Sequence, residues 1–98
     1  MAIQERIVAG RQELTVTNAA VVTLAIPAGA DAAVMQVRTA AIVVTVDGTT
    51  PTTTPTGTVV YPLTPVEITT RQDLENFKCI ALTASDATVE VTYEKSYY

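Results

Sequence analysis

Cys79 is the one thiol of the chain, and no histidine accompanies it. Without histidine the commonest general base and the commonest metal ligand are missing. Ser-His-Asp and Cys-His nucleophile arrangements are therefore impossible. The two serines, Ser85 and Ser96, fall in a turn and in the tail. Ten carboxylates remain, enough for a glycosidase-type pair. However, Asp31, Asp47, Asp73 and Asp86 each stand beside turn signals, where Asp is favoured because its side chain bonds the local backbone. Glu67 and Glu90 fall in the outward phase of strands. Asp47-Gly48 lacks the alternating ligands and distal Glu of a calcium loop, and four scattered glycines make no phosphate cradle. Cys79 lies in the apolar run Phe77–Leu82, with its neighbour Lys78 on the opposite face of a strand, and reads as a small hydrophobe. These residues predict a non-enzymatic protein that uses no metal and no cofactor.

The elements that would carry such residues are strands. Ninety-eight residues make one domain with one modest core. Val and Thr are abundant, Trp is absent, and Phe77 is the single phenylalanine. β-Branched side chains fit a pleated, half-buried surface better than a helix. A lone cysteine excludes an internal disulfide. The formal charge is −4, and the six basic residues (Arg6, Arg11, Arg38, Arg71, Lys78, Lys95) are scattered. No nucleic-acid partner is expected, because phosphate binding needs clustered cations. No stretch approaches the ~20 apolar residues of a membrane span, and residues 1–10 lack the apolar run of a signal peptide. Synthesis as a soluble chain in a cytoplasm, without a membrane partner, is the expectation.

From Gln12 onward the hydrophobic period is two. Leu14 and Val16 alternate with threonines; Val22, Leu24 and Ile26 follow; then Ala33, Met35 and Val37, and then Ile42, Val44 and Val46. After residue 57 come Thr58–Tyr61, a break at Pro62-Leu63-Thr64-Pro65, and Val66–Ile68. Residues 70–76 read as a turn or a single helical turn, and Phe77–Thr83 as a doubly covered strand. Thr88–Tyr93 closes the pattern, with Val89, Val91 and Tyr93 inward. The spacing predicts an all-β fold: a single antiparallel β-sandwich of about eight short strands, jelly-roll-like, over residues 12–94. Residues 1–11 are expected to form an N-terminal arm or short helix, and residues 95–98 a tail.

Two segments are candidate partner contacts. In the arm, Ile3 and Ile7 fall one helical turn apart. In the loop 47–57, six threonines and two prolines interrupt the strand pattern, placing Thr49, Thr50, Pro51, Thr52, Thr53, Thr54, Pro55 and Thr56 at a surface. The loop is expected to be a hairpin-like connection between the two halves of the sandwich. Fully extended, its ten residues from Gly48 span at most roughly 30–35 Å, enough to reach a neighbouring subunit. Removing Thr49–Thr56 should leave a folded domain but weaken oligomer or shell binding.

Five segments in order carry a family resemblance: Ile26–Ala30 (IPAGA), Ala33–Val37 (AVMQV), Asp47–Thr52 (DGTTPT), Asp73–Phe77 (DLENF) and Ala87–Tyr93 (ATVEVTY). Together they resemble a family of small virion structural proteins of tailed bacteriophages, over roughly Val21 to Tyr93. The central loop has additional Thr-Pro residues, and the N-terminal region matches nothing in the pattern. The resemblance implies a non-enzymatic β-sandwich in a virion. It implies a capsid decoration or cement protein that binds the phage major capsid protein or another virion protein, in repeated copies. A closed homo-oligomer, dimer or trimer, is the expected form. A place in the neck, tail or fibre base is the alternative within this class. A carbohydrate- or surface-binding module is the alternative outside it, and it would need more exposed aromatic rings than Tyr61, Tyr93, Tyr97 and Tyr98 promise.

Overall fold

The computed structural model describes residues 6–54 and 56–96. In chain order these form β1 (Arg6–Val16), β2 (Ala32–Arg38), β3 (Ile42–Thr45), β4 (Thr58–Val60), β5 (Pro65–Ile68), the helix α1 (Arg71–Asn76), β6 (Lys78–Ala81) and β7 (Ala87–Ser96). All strand pairings are antiparallel. One sheet has the order β1-β7-β2-β5 and the other β4-β3-β6. Their facing sides enclose one core. Leu14, Val16, Met35, Val37, Val89, Val91 and Tyr93 come from the first sheet, and Ile42, Val44, Cys79 and Ala81 from the second. Burying each larger aliphatic side chain contributes about 1.5–3 kcal/mol.

The period-two reading therefore describes the core well, and the all-β sandwich is the observed fold. One expected strand is nearly lost. Val21–Ile26 contributes a single rung: the Val22 N–H donates to the Cys79 carbonyl at 2.8 Å, and the Cys79 N–H returns to Val22 at 3.0 Å. The segment then diverges because the side chain of Gln12 takes the Ala25 N–H (3.2 Å) in place of a strand partner. Val22, Leu24 and Ile26 still turn partly inward while Val21, Thr23 and Ala25 are exposed. Counted as the second of eight strands, this segment completes the orders 1-8-3-6 and 2-7-4-5. That is the connectivity of a jelly roll. β6 thus has a neighbour on both sides, in accord with its burial.

The N-terminal expectation needs correction. Residues 6–11 are neither an arm nor a helix; they belong to β1, whose partners run from Arg6↔Ser96 to Val16↔Ala87. A helix this short is marginal in water, whereas β7 offers a ready ladder. A bulge between Val8 and Gly10 shifts the register near its start. The expected tail is likewise partly strand, since Lys95 and Ser96 end β7. Ile3, Pro55, Tyr97 and Tyr98 lie outside the described residues.

The helix Arg71–Asn76 forms within the stretch expected to turn, residues 70–76. The Thr70 hydroxyl accepts the Asp73 N–H at 3.2 Å, capping the first turn. Leu74 is its buried residue. The Arg71 guanidinium donates to the Ala30 carbonyl at 2.8 Å and to Glu75 at 3.1 Å, tying the helix to the turn that precedes β2.

Candidate contact surface

The loop between β3 and β4 is a hairpin connection, as expected, but it lies inside one sheet and does not link the two. Nor is it extended. The Asp47 carboxylate accepts the Thr49 N–H at 3.0 Å, which holds that carboxyl below its usual pKa. The Thr45 hydroxyl donates to the Thr49 carbonyl, and Lys78 Nζ to the Gly48 carbonyl at 3.1 Å. Farther on, Thr52 and Thr56 form a one-rung bridge, and the Thr52 hydroxyl accepts the Thr56 N–H at 3.0 Å. Between these ties Pro51 is fully buried.

The strand register explains where the loop goes. Ile42, Val44, Cys79 and Ala81 face the core, so Val43, Thr45, Lys78 and Ile80 point to the outer side of their sheet. Val43 and Ile80 are nevertheless buried. Thr45 and Lys78, on that same outer side, are the residues that grip the loop. The Thr/Pro segment is thus folded against the sheet, and its reach is far shorter than its contour length. Thr49, Thr50, Thr52, Thr53, Thr54 and Thr56 are exposed, whereas Pro51 is a packing residue and unavailable to a partner. Ile7, the other described candidate, stands 41% exposed on β1, at the far edge of the other sheet from β5. The two sets are not brought together.

The sequence reading missed a more apolar surface. β4 and β5 are the edge strands of their respective sheets, and both are short, with three and four residues. Between them a cleft of about 460 Å³ opens toward the core. Val44, Val60 and Ile68 form its floor, Val59 and Val66 its walls, and Val46, Tyr61 and Glu67 its rim. The turn that joins the two strands across the sheets projects Leu63, 72% exposed, beside Tyr61, 64% exposed. Val46, expected inward, lies one residue beyond the end of β3 and is exposed.

Leu63 also holds a positive φ of 69°. Its N–H donates to the Val37 carbonyl at 2.7 Å, which fixes this turn over the end of β2. Among the described residues the other non-glycine residue with positive φ, Thr39 (72°), stands at the corner between β2 and β3. There the conformation is compensated: the Thr39 hydroxyl accepts the Thr88 N–H at 3.3 Å and has the Arg38 and Asp86 carbonyl oxygens, at 2.5 and 3.1 Å, as acceptors for its proton. Leu63 has an exposed side chain that makes no comparable bond. Left-handed backbone costs an L-residue roughly 1–2 kcal/mol, and glycine would serve the turn. The signal in the sequence was Pro62-Leu63-Thr64-Pro65, an apolar residue where a turn asks for glycine.

Cys79 is fully buried, and burial pushes its thiol pKa up to about 12. The native protein is expected to resist alkylation by iodoacetamide at pH 8 and to react at once when unfolded; mass spectrometry of the adduct checks this. Among the described residues no group of three or more Cys, Asp or Glu side chains is placed to hold a metal ion. The carboxylates Glu90 and Glu75 engage Arg38 (2.7 Å) and Arg71 (3.1 Å) in exposed ion pairs.

No protein-family model matches the chain, no curated protein matches it, and no solved structure matches it.

Proposed function

We propose that the protein is a non-enzymatic structural component of a tailed-bacteriophage particle, a decoration or cement protein of the head that bridges neighbouring shell subunits. The observation that carries the reading is Leu63. A large apolar side chain held out into solvent on a left-handed backbone is retained at a cost to the isolated domain. It stands beside an apolar cleft and an exposed tyrosine, the make-up of a contact patch with a buried anchor. The ordered motifs IPAGA, DGTTPT and DLENF support the phage assignment. The jelly-roll connectivity agrees with it as an analogy of fold alone. In this reading the partner is the major capsid protein or another virion protein, and the chain acts in a homo-oligomer within the virion.

Mass spectrometry of purified particles tests the assignment; absence of the chain from intact virions would sink it. Leu63→Gly tests the anchor. Relief of roughly 1–2 kcal/mol of strain against about 0.4–1 kcal/mol of added unfolded-state entropy leaves the domain's stability unchanged or slightly raised. Occupancy on particles is expected to fall at least tenfold. Undiminished occupancy would remove Leu63 from the interface. Binding to glycans that survives in the Tyr61→Ala variant would leave the cleft without a role in sugar recognition; loss of such binding would favour a carbohydrate module over a shell clamp.

A further inference from the structure

β1 is the long edge of the first sheet. It spans eleven residues and hydrogen-bonds on one side only, to β7; among the described residues no other backbone group pairs with it. The other sheet edges are shorter, and β5 begins with Pro65, which lacks a donor. An unpaired edge of this length is a template for another strand.

The side chains of β1 specify which strand. Beyond the bulge at Val8/Gly10, Leu14 and Val16 turn inward, with Gln12 half-buried. The Gln12 side chain accepts the Tyr93 hydroxyl at 2.6 Å. Arg11, Glu13 and Thr15 are exposed on the outer face. Neither Arg11 nor Glu13 makes an ion pair among the described residues. Glu13 stands directly opposite Glu90, an unfavourable like-charge neighbour.

We infer that β1 pairs with β1 of a second copy, antiparallel, about a two-fold axis through Gln12. In this register Arg11 of each copy faces Glu13 of the other, giving two cross-strand ion pairs and bringing a cation beside the Glu13–Glu90 pair. Gly10 faces Leu14 on the inner side, where Pro27 of the same chain already covers the glycine. The neighbouring registers fail on charge. An axis through Arg11 sets the two arginines opposite each other, and an axis through Glu13 does the same with the glutamates. Registers displaced by one residue would oppose inward and outward side chains. Pairing runs from Gly10 to Leu14 and stops at the bulge. The two four-stranded sheets then become one continuous sheet of eight strands. The contact is isologous and closed, as a two-fold dimer requires.

The inference is independent of the particle reading, because it is tested on the isolated chain. Sedimentation analysis of the full chain is expected to show a dimer. Arg11→Glu turns both ion pairs into like-charge pairs and should raise the dissociation constant about a hundredfold, about 1.4 kcal/mol for each of the two pairs. Combining it with Glu13→Arg exchanges the charges and should restore the dimer to within a few-fold of the parent. Far-UV circular dichroism verifies that each variant is folded. A parent chain that sediments as a monomer or a trimer overturns the inference, as does a dimer indifferent to Arg11→Glu. If Arg11→Glu alone fails to fold, the double exchange decides: dimerisation supports the register, and a folded monomer overturns it.

Discussion

Replacing Gly57 by alanine is expected to lower stability by about 3 kcal/mol, the largest loss expected from alanine at any of the four glycines. Gly57 closes the Thr/Pro loop just before β4, with φ at +125°. That region is essentially closed to side-chain-bearing residues and costs roughly 1–3 kcal/mol. Space is lacking as well. A Cβ placed there would stand 2.7 Å from the Val44 carbonyl oxygen, 2.9 Å from Val43 Cγ1 and 3.0 Å from Thr45 Cγ2. The first of these is backbone in a central strand and cannot yield without breaking the β3 ladder. In a domain of this size, about 3 kcal/mol corresponds to a melting temperature lower by about 15 °C. Gly48 provides the control. Its φ is +86°, but a Cβ there meets nothing within 4 Å, so Gly48→Ala should cost only about 1 kcal/mol. Thermal unfolding followed by circular dichroism separates the two. Equal losses would show that conformation alone, and not the close approach to β3, determines the effect.

Alkaline pH is expected to unfold the protein through its buried acids. Tyr93 is fully buried, and its phenol is pushed from 10.0 up to about 12 by desolvation. Cys79 is raised from 9.0 to about 12 by the same cause. Both groups are neutral when protonated, so a raised pKa means that the folded state holds its proton more tightly than the unfolded chain. The stabilisation is intact below pH 9. It declines once the unfolded thiol begins to ionise, declines faster above pH 10 when the phenol joins, and is gone near pH 12. At about 1.4 kcal/mol per unit, the combined loss is several kcal/mol, comparable to the whole stability of a small domain. Urea unfolding at pH 8, 10 and 11.5 should show a steep fall in midpoint. Cys79→Ala should move the onset of the decline upward by about one pH unit, although its stability at pH 8 will be lower because a cavity remains. An unchanged onset would assign the alkaline transition to Tyr93 alone.

The side-chain periods made most of the sandwich legible. Met35 and Val37, or Val89, Val91 and Tyr93, had only to be counted in twos, because a strand sends alternate residues to one face. Residues 6–11 misled for the opposite reason. Ala9 and Gly10 disrupt the alternation at the bulge, and the partner that makes them a strand, β7, lies some eighty positions away in the chain. Val21–Ile26 carries a good period but loses its ladder to the Gln12 side chain, a contact no local pattern announces.

The contact surface divides along the same line. Composition and residue order by themselves determined an all-β domain with one core, no histidine chemistry, and a threonine-rich loop in the middle of the chain. Tertiary structure decided that Pro51 is buried and that the loop lies against the outer face of its own sheet. It also decided that Leu63 and Tyr61 flank a cleft where two short edge strands part, and that Arg11 and Glu13 share an unpaired edge. The physical reason is range. Turn chemistry and alternation act over a few residues and can be read in order. Which edges remain unpaired, and which apolar side chains find no cover, depends on strands far apart in sequence that meet only when the sheets form.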